Sequence, residues 1–422
     1  MRRSILCAMA LLLAACYAST GRHGNLDGGD DPSPVDHLPD DGREGDTADA
    51  APEGYAFVDR DTPDRNIPVR LLFADMPSVA WNGSAAGLAY IGMPEGVSDN
   101  VIGFIPLDAF GNVAGDEKVI LDTGGLWGSI PKLSGDGDGF LFCTLDESTY
   151  DSIVVLRLSA DGEVLAAGAT PVGHNVVSPV SAPVSLEGHV FVAATFYDDI
   201  ESYVLYRFAY PSLAYESEIM WGADADWPIL RKTPGADTLL LFYRMADSGV
   251  LWADEISPDF HTNRTFQVPR EEPFEDYSAV TNGQEWYAWF ASMDYEVSQF
   301  TLETVSEGGF SSFRSHPADF YGTFMSSTAS DVPSSFGAVF SLFNQDPGRW
   351  DLHAILDALP EPDDLLDADL IVNDIVEDRT MDDAIHADIA WTEGGFLVVW
   401  DEWRAPYNYT LFSSFIAVEA TY

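Results

Sequence analysis

The stretch SVAWNGSAAGLAYIGMPEGVSDNVIGFIPLDAFGNVAGDEKVILD, Ser78–Asp122, holds four short apolar runs separated by turn residues. The runs are SVAWNG, GLAYIG, VIGFIPLD and KVILD. Each is rich in β-branched and aromatic residues and is bounded by Gly, Asn or Asp, so each reads as a strand. GLAYIG is apolar along almost its whole length. That suits a strand covered on both faces by neighbouring sheets better than one half-exposed to water.

The same four-run unit returns along the chain. It continues as IPKLSG, GFLFCTL, SIVVLRLS and LAAGATPV, then as VSAPVSL, HVFVAATF, YVLYRFAY and YESEIMW. PILRKT, TLLLFYRM, VLWADEIS and RTFQVP follow, then YSAVTN, EWYAWFAS, VSQFTLET and FSSFRSH, then TFMSST, SFGAVFSLF, WDLHAILDA and ADLIVND. A spacing of about 50 residues marks a radial or stacked repeat. The last unit, ADIAWTEGG, FLVVWDE and YTLFSSFIAVEA, stops at Tyr422 without a fourth strand. Such a sheet exposes unpaired backbone groups unless another strand covers it.

VRLLF, Val69–Phe73, is the expected cover. The expectation is therefore an all-β chain: a seven-bladed β-propeller of four-stranded antiparallel blades over residues 53–422, with the last blade closed by an N-terminal strand. Two β-sandwiches, or a ring of six or eight blades, would use the same strands.

Residues 1–16 form a different kind of segment. Arg2 and Arg3 precede an apolar run from Ile5 to Ala15, about 16 Å long as a helix. A bilayer core needs about 30 Å, so the segment reads as a secretory leader and not as a span. LAAC, Leu13–Cys16, resembles the lipobox of bacterial lipoproteins, which implies lipidation of Cys16. Tyr17 follows where inner-membrane retention would place aspartate, so outer membrane or cell surface is expected. Residues 17–52 are rich in Asp, Gly and Pro and cannot bury enough surface to fold, so they read as an acidic tether.

Lys and Arg number 20 against 69 Asp and Glu, a formal charge of −49, which repels nucleic acid and anionic lipid headgroups alike. Contact with a membrane is thus expected through acyl chains only. Beyond the leader Cys143 is the single cysteine, in GFLFCTL, where a buried inert thiol is expected and an intramolecular disulfide is excluded.

Taken with LAAC, the acidic tether, AWNGSAAGLAYI, LSADGEVLA and AWTEGGFLVVWDE, the chain resembles bacterial lipoproteins of the myxobacteria-like kind that carry β-propeller-type repeats. The resemblance implies architecture and location. No active site transfers with it.

Chemistry has to be read from the loops. In an up-and-down blade, the hairpin between second and third strands shares a rim with the link to the next blade. Carboxylates on that rim, Asp198, Asp199, Asp224, Asp226, Asp294, Asp401 and Glu402, are candidates for Ca2+ or another cation, since hard cations gather oxygen ligands. Trp127, Trp227, Tyr277, Tyr321, Trp403 and Tyr407 are candidates to stack on a ligand, although aromatics at strand ends more often serve core or inter-blade packing.

Enzyme signatures are missing: no Gly-x-Ser-x-Gly, no His-Glu-x-x-His and no phosphate loop. His174 and His386 fall in inter-blade links without a partner close in sequence. The expectation is a monomeric binding protein without chemistry of its own, whose partner is a protein, a peptide or a surface glycan. The alternative is a propeller glycoside hydrolase or lyase with a carboxylate pair at the central mouth.

Overall fold

The computed structural model describes residues 54–57, 65–123, 130–146, 152–171, 176–198, 200–221, 225–233, 235–245, 250–267, 276–281, 286–294, 297–306, 309–318, 321–329, 336–344, 349–357, 369–371, 383–404 and 408–421. They form seven antiparallel sheets, six built from consecutive strands and the seventh from the last three strands and two N-terminal ones. Blade 1 comprises Leu72–Trp81, Ala86–Met93, Val101–Leu107 and Lys118–Asp122. Blade 2 comprises Lys132–Asp136, Gly139–Leu145, Ile153–Ser159 and Val164–Ala169. In blade 3 a split inner strand, Val176–Val180 and Val184–Leu186, precedes His189–Asp198, Ile200–Ala209 and Ala214–Trp221. Blades 4, 5 and 6 begin with the inner strands Ala225–Lys232, Asp276–Thr281 and Tyr321–Ala329.

Blade 7 is Asp383–Thr392, Gly395–Arg404 and the long strand Asn408–Thr421. Its outer position is taken by the N-terminal part of the chain, as expected, but by a different segment from VRLLF. Arg65–Ile67 pairs with Leu411–Ser413, and Gly54–Phe57 pairs with Val418–Thr421. Leu72 and Phe73 open the inner strand of blade 1 instead. Val69 and Leu71 pack against Leu411 and Val399, filling the junction between the last blade and the first. Of VRLLF only Leu71 is buried, and Leu72 is exposed, while Ile67 of the pairing triplet is fully covered, so the apolar run marks a linker that crosses from the last blade to the first.

The inner strands share a local device. In blades 1, 3 and 4 the register with the second strand slips between Asp75 and Ser78, Val177 and Val180, and Asp226 and Ile229. Each of these slips contains a proline, Pro77, Pro179 or Pro228, whereas the slips in blades 6 and 7, between Thr323 and Ser326 and between Ala384 and Ala387, contain none. In blade 2, Pro131 immediately precedes Lys132, the first paired residue. A bulge leaves a residue outside the ladder, where the missing proline N–H costs nothing.

Hydrogen bonds cross all seven blade boundaries near the axis. Asp388 of blade 7 accepts from Ser78 Oγ of blade 1 (3.0 Å), and Ser78 Oγ accepts from the Leu133 amide of blade 2 (3.1 Å). Ser134 Oγ donates to the Pro183 carbonyl (2.6 Å), and the Trp227 amide donates to Thr195 Oγ1 (3.1 Å). Arg231 Nε donates to the Ala279 carbonyl (2.9 Å), Ser278 and Ser327 share a hydroxyl bond (2.6 Å), and Ser326 Oγ donates to Asp388. Between the blades lies apolar packing: Gly139–Leu145 is buried throughout, and Phe140 meets Phe104 of blade 1 at 5.5 Å between ring centroids.

Candidate functional site

The inner strands of the blades surround a central cavity of about 830 Å³. Its wall is small and hydroxylated where Ser78, Ser181, Ser278, Ser326 and Thr328 contribute, and aromatic at Trp81, Trp227, Tyr277 and Trp391. Lys132, Arg231, Lys232, His386 and Asp388 are its charged or protonatable lining residues besides the Tyr277 phenol.

At one end of this channel, on the seam between blades 7 and 1, three titratable side chains meet. His386 Nδ1 lies 2.9 Å from Asp75 Oδ1 and 2.9 Å from Asp401 Oδ2. The backbone closes the cluster from both sides. The Met76 amide donates to Asp75 Oδ1 (2.7 Å) and to Asp401 Oδ2 (3.0 Å), and the His386 amide donates to Asp401 Oδ1 (3.2 Å). Met76 reaches this geometry with a left-handed φ of 50°, an unfavourable conformation for a non-glycine residue that the surrounding bonds hold in place.

Burial alone would disfavour the imidazolium, but Asp401 and Asp75 beside it outweigh burial and hold the His386 pKa up at about 10. Asp401 is driven upward by burial and by the neighbouring Asp75 charge. Asp75 goes the other way. Burial pushes it up, but hydrogen bonds from Asp401, His386 and the Met76 amide pull it below the usual carboxylate range. The cluster is an imidazolium clamped between an ionised carboxylate and one that resists ionisation.

Asp75, His386 and Asp401 present ligand atoms within 4.8 Å of one another. One imidazole and two carboxylates suit a transition metal better than Ca2+, which takes about six to eight oxygens. Metal binding requires the Nδ1 proton to leave, and the two carboxylates retain it. His386, which shows no partner near it in sequence, therefore has two, from the second strand of its own blade and from the inner strand of blade 1.

Of the sequence-derived carboxylates, Asp401 and Glu402 have described side chains, and both are buried. Adjacent strand residues project to opposite faces. Asp401 turns to the seam, while Glu402 accepts a bond from Trp400 Nε1 (3.1 Å), so the two do not form one site. Asp198, Asp226 and Asp294 occupy strand positions paired with Ile200, Arg244 and Val297. Asp199 and Asp224 lie outside the described residues.

Among the aromatics, Trp227 and Tyr277 both line the channel. The Tyr277 hydroxyl donates to the Trp227 carbonyl, and the Arg244 guanidinium lies 5.0 Å from the Trp227 ring centroid. Tyr321 and Trp403 are strand residues paired with Phe343 and Tyr409. Cys16, Trp127 and Tyr407 lie outside the described residues.

Arg231 is a channel residue that sequence reading misses. Burial pulls its pKa below the usual guanidinium value, against the favourable charges of Asp388 and the Tyr277 phenol. Asp388 itself accepts from Ser78 Oγ (3.0 Å), the Val79 amide (2.8 Å), the Ile389 amide (2.9 Å) and Ser326 Oγ.

Neither the protein-family models nor the curated proteins contain a match to this sequence. Solved structures resemble it in fold. A neuraminidase-like protein from A/bat/Guatemala/164/2009 is 10% identical, over 74% of this chain and 95% of that one, with a TM-score of 0.49. The β-propeller domain of the Trilobed protease from Pyrococcus furiosus is 12% identical over 81% and 95%, with a TM-score of 0.47. A protein of unknown function from Dyadobacter fermentans is 15% identical over 87% and 100%, with a TM-score of 0.45. These likenesses concern the fold alone. The chain is a β-propeller protein.

Proposed function

We propose that this chain is a lipid-anchored extracytoplasmic binding protein. Cys16 carries the acyl chains, residues 17–52 act as a tether at the outer membrane or cell surface, and the propeller presents its channel and one rim to a protein, peptide or surface glycan. The observation that carries the reading is the state of the channel-end carboxylates. Asp75 and Asp401 share one imidazole, with ligand atoms inside 4.8 Å, and Asp388 is held by four donors. A glycosidase pair stands about 5 to 9.5 Å apart, with one member free to move a proton and the other free to attack or to activate water. These three carboxylates are committed to holding blades together, which leaves the polar and aromatic wall to bind.

Two measurements test this. Membrane fractionation of cells making the Cys16→Ser chain should find it released into the soluble fraction, while the parent chain stays with the membrane. Equilibrium binding of purified chain to envelope polysaccharide and to short peptides should weaken in a Thr328→Trp variant, in which the indole fills part of the channel. Release of reducing sugar from any of these glycans by the parent chain would replace the binding reading with the hydrolase one.

A further inference from the structure

Acidic residues outnumber basic ones by 69 to 20 in this chain, and three residues are lysine. The channel reverses that balance. Lys132, Arg231 and Lys232 line it, against the single carboxylate Asp388, so two of the three lysines face one cavity.

Elsewhere on the blades several described cations meet carboxylates, although Arg65 bonds the Phe110 carbonyl instead. Lys118 pairs with Glu163, Arg157 with Asp136 (3.3 Å), Arg207 with Glu216 (3.1 Å) and Arg264 with Glu255 (2.7 Å). Among the described residues, none of the three channel cations has a carboxylate in ion-pair contact. Arg231 is oriented by neutral backbone oxygens instead, with Nε on the Ala279 carbonyl (2.9 Å) and Nη1 at 3.5 Å from the Leu230 carbonyl. Backbone acceptors fix the direction of a guanidinium without neutralising it. Asp388, the one counter-charge, is turned to Ser78, Val79, Ile389 and Ser326.

We propose that the central channel binds a small organic acid, with Arg231 as the fork for its carboxylate, Lys132 as a second positive charge and Trp227 and Tyr277 as walls for its body. The proposal rests on the binding reading above and names its ligand class. Guanidinium matches carboxylate geometry with paired donors, whereas ammonium contributes a less directional charge. Size and field both limit the ligand. A cavity of about 830 Å³ accommodates a compact molecule. The −49 charge repels polyanions from the surface, so a ligand carrying one to a few charges is the kind of anion that reaches the channel.

The test is calorimetric titration of the full-length chain in mild detergent with benzoate, benzamide, citrate, glycerol and inorganic sulfate. Benzoate and benzamide share a shape and differ in charge, as citrate and glycerol differ in carboxylates. Benzoate or citrate should bind at least about tenfold more tightly than its neutral counterpart and than sulfate. The double variant Arg231→Gln, Lys132→Gln should lose at least about tenfold of that affinity. Arg264→Gln, at a paired surface cation, should lose none.

Since Arg231 also joins blades 4 and 5, Lys132→Gln alone serves as a second variant, and unchanged melting temperature confirms its fold. Equal affinity for benzoate and benzamide and for citrate and glycerol overturns the proposal, as does unchanged affinity in folded Lys132→Gln. Neutral glycans binding where the acids do not would remove the ligand class and leave the binding reading standing. Turnover of a glycan with no binding of the acids would remove both.

Discussion

Nδ1 of His386, on the last blade, lies 2.9 Å from Oδ1 of Asp75, on the first. The contact closes the ring at the seam where the first and last blades meet, and Asp401 holds the same nitrogen from the other side. The imidazole titrates near 6.5 when unfolded and near 10 when folded. A raised folded pKa stabilises fully below pH 6.5, and that stabilisation is lost as pH climbs toward 10. Replacing His386 with Asn should therefore cost about 3 kcal/mol near pH 6 and progressively less toward pH 10. Urea unfolding across that range checks it. A parent-to-variant gap that does not change with pH would contradict the assignment of the clamp to His386.

Asp388 connects three blades through one carboxylate. Asp388→Ala should cost about 3 kcal/mol, because it orphans the Val79 amide and two hydroxyls at once, while Ser78→Ala should cost about 1 kcal/mol. The two residues share a bond, so a double-mutant cycle should return a coupling of about 1 kcal/mol. Additive losses in guanidinium unfolding would show that the bond contributes nothing to the seam.

Two glycines should respond in opposite ways to alanine. A Cβ on Gly135 would stand 2.0 Å from the Trp81 carbonyl oxygen of the neighbouring blade, a backbone atom that cannot step aside. Gly188 has φ 79° and open space around its missing Cβ. Gly135→Ala should lower stability by roughly 3 kcal/mol or more, and Gly188→Ala by about 1 kcal/mol from backbone strain alone. Melting curves compared side by side decide, and equal losses would place the blade 1–2 approach in error.

Cys143 is fully buried, with Sγ 3.1 Å from the Ser181 carbonyl, and burial pushes its thiol pKa well above the ordinary value. In a chain with Cys7 and Cys16 replaced by serine, Cys143 should resist a thiol reagent until denaturant unfolds the ring. Labelling in native buffer at the rate of a model thiol would contradict its place between blades 2 and 3.

The blades were readable because an apolar run bounded by Gly or Asp changes little when its neighbours are unknown. GLAYIG and GFLFCTL are strands in the structure as in the sequence. The closing strand is not legible because hydrophobicity does not report position in a sheet. Val69 and Leu71 pack at the seam, while the triplet Arg65–Ile67, with one apolar residue buried, does the pairing. Trp227 and Tyr277 of the channel wall are among the sequence candidates, but the hydrogen bonds between blades are not legible. Ser78 and Asp388 are 310 positions apart and meet only because the ring closes. His386 carries no local motif, since its partners come from a bulge at Met76 and from the second strand of its own blade. The Pro that follows Met76, Ile130, Ser178 and Trp227 is the one sequence feature that marks those inner strands, and it marks their backbone without naming their chemistry.

Ring closure by the N-terminal segment underlies the seam, the channel and the site within it. Amide hydrogen exchange followed by mass spectrometry tests it directly, on peptides covering 65–67 and 411–413. Paired as Arg65 to Ser413, Asn66 to Phe412 and Ile67 to Leu411, both peptides should be protected. Deletion of residues 1–67 should speed exchange within 411–413 at the amides that face 65–67, while those that face Val399–Asp401 stay protected. Exchange of 65–67 as fast as an unstructured peptide, with the exchange of 411–413 unchanged by the deletion, would contradict the closed ring.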